Sequence, residues 1–131
     1  MLRITSPLNP EQERIVTQVI DCGFTVHRAL GPGFREKIYA RAFCLELDSR
    51  GLRFDCEKPI VVRYKEWGIS GQRVDLIVEN LVLVEIKTVP RLRPIHRAQV
   101  ISYLKTTGLR VGILMNFNVG ILKQGLQRVI C

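Results

Sequence analysis

The sequence predicts a mixed α/β domain, a central sheet with helices packed against it. Ile15, Val19, Cys22, Val26 and Leu30 recur at spacings of three and four, the stripe of a helix with one apolar side. Residues 73–78 and 81–87 are two Val/Ile/Leu runs parted by Glu79-Asn80, the pattern of strands covered on both faces. Pro94 then opens a helical segment that closes at Gly108, ahead of another apolar run at residues 111–116.

Taken in order, the first helix begins after Pro10 and is stopped by Gly31-Pro32-Gly33. The second spans about residues 34–50, with Ile38, Ala42 and Leu45 on one side, Tyr39, Phe43 and Leu47 nearby, and Gly51 as a left-handed cap. Two short strands are expected next, at 52–56 and 60–64, followed by a turn through Trp67-Gly68 and then the hairpin of the two apolar runs. Residues 88–93 form a basic loop containing Pro90. The third helix runs to about Thr107, and strands at 111–116 and 126–130 finish the chain. There is no repeat or linker, so residues 1–131 read as a single domain with its core over about 12–130.

Hydrophobic content of 47% argues against disorder. No apolar run approaches the ~20 residues of a membrane span. The start at residues 1–10 lacks the features of a secretory signal, and Cys22, Cys44, Cys56 and Cys131 show no zinc-like or paired spacing. A soluble cytoplasmic protein with reduced thiols, most of them core fillers, is the expectation. Twenty Lys and Arg against twelve Asp and Glu give a net charge of +8, which favours a polyanionic partner, nucleic acid first. Phe and Tyr do not cluster on any strand as a base-stacking platform would require, so backbone contact is expected over base reading.

The hairpin carries the chemistry. Side chains alternate along a strand, so Glu85 and Lys87 share a face that Ile86 does not. Asp75 joins them in only one register: a two-residue loop pairs it with Val84, whereas an odd loop centred on Asn80 pairs it with Glu85. In the second register two carboxylates face each other and repel unless a cation lies between, and oxygen donors suit a hard ion such as Mg²⁺ or Mn²⁺. Lys87 then stands beside the ion, placed to orient a water or to neutralise charge on a phosphate. The plainer reading is a solvated Glu-x-Lys pair of little energetic value, against which stand the apolar flanks and the distant Asp75.

Further residues have two readings each. Glu36 sits in the first turn of the second helix, where the macrodipole alone favours an acid, or it reaches the metal as a third carboxylate. Tyr39 on the same side is a site residue or a core aromatic with its hydroxyl satisfied. Gln99 and Tyr103, i and i+4 on the third helix, point together toward the hairpin or to solvent. His27 and His96 have no partner at a metal-ligand spacing and read as structural or surface residues. Arg91 and Arg93, with His96, Arg97 and Lys105 beyond, form a phosphate-binding rim if the third helix packs beside the hairpin.

Gly31, Glu36 and Tyr39, then Asp75, Glu85-Ile86-Lys87, Gln99 with Tyr103-Leu104, and Asn116-Phe117, resemble the GxxExxY proteins, a branch of the PD-(D/E)XK nuclease superfamily. The likeness runs from about residue 15 to 130, and its specificity lies in the order and spacing of several short motifs. It implies a restriction-endonuclease-like mixed sheet flanked by helices and Mg²⁺-dependent hydrolysis of phosphodiesters. Asp75, Glu85 and Lys87 become the signature triad, Glu36 the first-helix acid, and Gln99 with Tyr103 the helix motif of exonuclease-like members. Val74 stands where that superfamily often has Pro, which carries no chemistry. The expected function is therefore a Mg²⁺- or Mn²⁺-dependent nuclease acting on nucleic acid, DNA first. Asp75, Glu85, the Ile86 carbonyl and Glu36 are its metal ligands. The alternatives are a nucleic-acid-binding or regulatory module with a vestigial site and a structural partner protein that forms a homodimer.

Overall fold

The Asn9 side chain accepts the Gln12 N–H at 2.8 Å and the Gln12 side chain accepts the Asn9 N–H at 2.8 Å, a capping box that opens α1 (Pro10–Leu30). The computed structural model describes residues 6–131, so what was expected of residues 1–5 lies outside it. A second helix, α2 (Glu36–Ser49), follows the glycine-rich turn. The strands are β1 (Phe54–Tyr64), β2 (Trp67–Val78) and β3 (Val82–Lys87). Then come α3 (Pro94–Thr107), β4 (Val111–Asn116), a short 3₁₀ turn, and β5 (Leu126–Ile130).

The five strands make one mixed sheet in sequence order. Only β3 and β4 run parallel, and α3 supplies the crossover that a parallel pair requires. Helices α1 and α2 cover one face through Ile15, Val19, Phe43 and Leu47 against Leu76, Val84, Ile86 and Met115. On the other face α3 packs Val100 and Leu104 against Leu83 and Leu114. Strands β3 and β4 are thus buried on both sides, as their composition predicts. Gly112 is part of that fit: a Cβ there would stand 2.6 Å from Val100 Cγ1, so the closeness of α3 to β4 depends on glycine.

Four expectations change. The two short strands read at 52–56 and 60–64 are one strand, β1. Glu57 takes a positive φ of 49°, and Pro59 is tolerated because β1 is an edge strand, where a missing N–H costs no ladder bond. The turn lies at Lys65-Glu66, with Trp67 already paired to Tyr64, so β2 is six residues longer at its start than the apolar run suggests. On α2 the core side is Tyr39, Phe43 and Leu47, whereas Ile38 and Leu45 are exposed. Of the four free cysteines, Cys22 and Cys44 are buried and Cys56 and Cys131 are not, so only half fill the core. No helix among the described residues is long and apolar enough to cross a membrane.

Candidate active site

Glu79 and Asn80 both adopt positive φ, 52° and 55°, and the Leu81 N–H donates to the Val78 carbonyl at 3.0 Å. Leu81 is left as an extra residue, and the ladder runs Val78↔Val82, Ile77↔Leu83, Leu76↔Val84. This is the odd register, in which Asp75 comes opposite Glu85. Regular pairing stops at Leu76↔Val84, and side chains continue it: the Asp75 N–H donates to Glu85 Oε1 at 3.0 Å, and the Ile86 N–H donates to Asp75 Oδ2 at 2.9 Å.

Glu85 is only 3% exposed, and Asp75 is half-buried. Burial first, and then the charge of Asp75, push the Glu85 carboxyl up to about 8; the Asp75 N–H and the Lys87 ammonium pull the other way. Lys87 lies on the same side of β3 as Glu85, its Nζ 3.9 Å from Glu85 Oε2, and donates to Gln99 Oε1 on α3 at 2.7 Å. Tyr103, one helical turn further, accepts the Gln72 side-chain amide at 2.7 Å. Its phenol is raised by burial and then by the Glu85 charge. Gln99 and Tyr103 therefore face the sheet.

Glu36 occupies the first turn of α2, where the helix dipole favours it, and is exposed as a residue. Its carboxyl is raised, by partial burial first and then by the charge of Asp75, and Lys87 opposes the shift. It shares with Asp75 the rim of a cavity of about 580 Å³ between α2 and the β1–β2 pair. Among the described residues no three His, Cys, Asp or Glu side chains gather closely enough to hold an ion, so Glu36 stands apart from the Asp75–Glu85 pair. That pair fits a hard divalent ion on chemical grounds. One oxygen of each carboxylate is fixed by a backbone N–H, while Asp75 Oδ1 has no hydrogen bond among the described residues and Glu85 Oε2 lies 3.9 Å from the Lys87 ammonium.

Tyr39 is a structural residue. It is fully buried, stacks on Phe117 with ring centroids 4.7 Å apart, accepts the Phe34 N–H at 3.2 Å and donates to the Gly31 carbonyl. The glycine three residues before Glu36 is Gly33, whose φ of 110° only glycine adopts readily. His27 is buried with Nε2 bonded to the Val119 carbonyl, and His96 Nδ1 accepts the Arg93 N–H at the start of α3; both are structural. Arg91, Arg93, Arg97 and Lys105 are all exposed, and among the described residues none forms an ion pair.

Two contributors had no reading of their own in the sequence. Asn116, 1% exposed at the end of β4, accepts the Val89 N–H at 3.0 Å and donates to the Val89 carbonyl at 2.9 Å, which pins the basic loop beside Lys87. Gln72 has no motif around it, and only the length of β2 brings it to Tyr103.

This arrangement, a mixed sheet with an Asp on one strand facing a Glu-x-Lys on the next, defines a nuclease-like domain. The family model of the PD-(D/E)XK nuclease superfamily matches residues 13–129, and the chain belongs to that superfamily. No curated protein and no solved structure matches it. Enzymes of this superfamily are generally dependent on divalent metals.

Proposed function

We propose that the protein is a Mg²⁺- or Mn²⁺-dependent nuclease of the GxxExxY branch, a cytoplasmic enzyme that hydrolyses phosphodiester bonds in nucleic acid, DNA in the first place. The observation that carries this reading is the Asp75–Glu85 pair: two carboxylates held face to face at the end of a buried ladder, with a buried acid raised to about 8 and Lys87 as the cation beside it. Asp75, Glu85 and the Ile86 carbonyl would hold the ion, with Glu36, which stands apart from the pair, completing the shell through water. A bound divalent ion supplies charge stabilisation at the phosphate and a more acidic water.

The chain's own groups do the positioning. Lys87 Nζ gives one N–H to Gln99, which directs its remaining protons toward the carboxylates and the space in front of them, where it orients the attacking water. Tyr103, bonded to Gln72, borders the same space and orients the scissile phosphate. Arg91, Arg93, Arg97 and Lys105 are the phosphate rim, and their exposed charges, which form no ion pair among the described residues, agree with the net charge of +8. The test is incubation of the protein with linear, nicked, branched and single-stranded DNA, and with RNA, with and without Mg²⁺ or Mn²⁺. Metal-dependent cleavage of any of them supports the enzyme; binding without cleavage of all of them favours the non-enzymatic module.

A further inference from the structure

Strands β1 and β2 stay paired with each other from Phe54↔Val78 out to Tyr64↔Trp67, but β3 accompanies β2 only over Leu76, Ile77 and Val78. Beyond Asp75 the pair therefore continues as a two-stranded ribbon with no third strand, and every residue from 61 to 73 is exposed. Trp67 lies eight positions before Asp75, a reach of about 25 Å at ~3.3 Å per residue. The ribbon rises from the carboxylates themselves, and Gln72 ties its base to Tyr103 of α3.

Residues directly opposite in an antiparallel pair share a face, as do residues two apart. Val62↔Ile69 and Tyr64↔Trp67 therefore place four apolar side chains on one face of the tip, with Tyr64 and Trp67 each 57% exposed. Neither ring packs on another aromatic among the described residues; the Lys65 ammonium lies 5.4 Å from the Tyr64 centroid. An exposed apolar patch of this kind marks a contact surface.

Charge decides what it contacts. Between residues 58 and 73 the ribbon carries Lys58, Arg63, Lys65 and Arg73 against one acid, Glu66. Lys58 and Arg73, at its base, are paired with Asp55 and Glu57 at 3.4 and 3.9 Å, whereas Arg63 and Lys65, beside the aromatic tip, form no ion pair among the described residues. Two copies docking tip to tip would bring these cations together, whereas a polyanion would neutralise them. The patch also lacks the hydrogen-bonding side chains that read base edges in a groove, and offers ring faces instead, which suit the faces of unpaired bases. We propose that the β1–β2 ribbon is a nucleic-acid arm: Tyr64 and Trp67 stack on unpaired bases, the flanking cations hold their phosphates, and a single-stranded segment is led toward the carboxylates at its base. Only the delivery to the carboxylates rests on the nuclease reading.

Trp67 is the one tryptophan of the chain, so its fluorescence reports on the tip alone. With EDTA present, titration with an oligothymidylate of about ten nucleotides, within the usual footprint of single-strand binders, should quench it. A blunt duplex should quench it less. Binding of a labelled oligonucleotide, followed by anisotropy, should weaken about tenfold in Tyr64→Ala and in Trp67→Ala, the scale of one lost stack, and be largely kept in Trp67→Phe. The inference is overturned if the double Tyr64→Ala/Trp67→Ala variant binds single strands as the wild type does. It is likewise overturned if the fluorescence follows only protein concentration while sedimentation shows a dimer, since a second copy would then cover the patch. Because these measurements need no metal, quenching without cleavage leaves the arm standing and removes the nuclease. Cleavage with unchanged KM in the double variant does the reverse.

Discussion

The Asp75 N–H donates to the Glu85 carboxylate at 3.0 Å, while the Asp75 carboxylate accepts the N–H of Ile86, the residue after Glu85, at 2.9 Å. Each side chain completes the other strand's interrupted ladder, so neither carboxylate can turn away without leaving a backbone N–H unpaired. These two bonds keep the acids face to face despite their repulsion.

The first consequence is a pH dependence. The Glu85 carboxyl is raised from its ordinary value of 4.5 to about 8 by burial and by Asp75, so in the metal-free protein its contribution to stability is greatest below pH 4.5 and is lost as pH rises toward 8. An ion that needs the charged form reverses this. Mn²⁺ affinity measured by calorimetry should rise between pH 6 and 8.5 with release of a proton, and Mn²⁺ should raise Tm more at pH 8.5 than at pH 6. A flat affinity over this range would mean that Glu85 is not a ligand.

Gln99 accepts a hydrogen bond from the Lys87 ammonium at 2.7 Å. Gln99→Ala should lower kcat about tenfold while leaving KM for nucleic acid and the metal affinity near their wild-type values, because Lys87 keeps its charge and loses its direction. An equal loss in KM would place Gln99 on the substrate instead.

Replacing Arg91, Arg93 and Arg97 with Ala should weaken binding about equally for unrelated DNA sequences and flatten the salt dependence by roughly one unit per lost contact. Anisotropy titrations from low to moderate salt measure both. Unchanged binding in the triple variant would move the phosphate rim elsewhere.

The faces of Glu85 and Lys87 were legible from strand alternation, but the hairpin register was narrowed only to two, because strands apolar on both faces carry no pattern that a one-residue slip would violate, and the structure has the odd one. Helices α1 and α3 were legible at both ends through Pro10, Gly31, Pro94 and Gly108. The β1–β2 ribbon was not. With both faces in solvent it shows no alternation of apolar and polar residues, and Pro59 resembles a break unless the strand is known to lie at an edge. The same blindness hid the aromatic pair. Tyr64 and Trp67 come opposite each other only with the turn at Lys65-Glu66, and a turn set two residues late parts them.

Asn116→Ala should cost stability and order together. It leaves the Val89 N–H without its partner and the Val89 carbonyl with only the longer 3.4 Å bond from the Asn118 amide, about 1–3 kcal/mol for a polar group left unsatisfied, and frees the loop at 88–93. Chemical denaturation gives the first quantity and faster amide exchange at Val89 the second. Unaltered exchange would show that the loop is held by other contacts.

The most direct measurement compares Asp75→Asn with Lys87→Ala for metal binding and for cleavage of the best nucleic-acid substrate. Asp75→Asn keeps the shape of the residue and removes charge from the ion's ligand, so metal affinity and cleavage should fall together. Lys87→Ala leaves both carboxylates intact and should still bind metal and nucleic acid while cleaving at least ~100-fold more slowly. Wild-type protein that binds nucleic acid but shows no metal-dependent cleavage, with neither substitution altering metal affinity, would contradict the account and leave a binding module with a vestigial acidic pair.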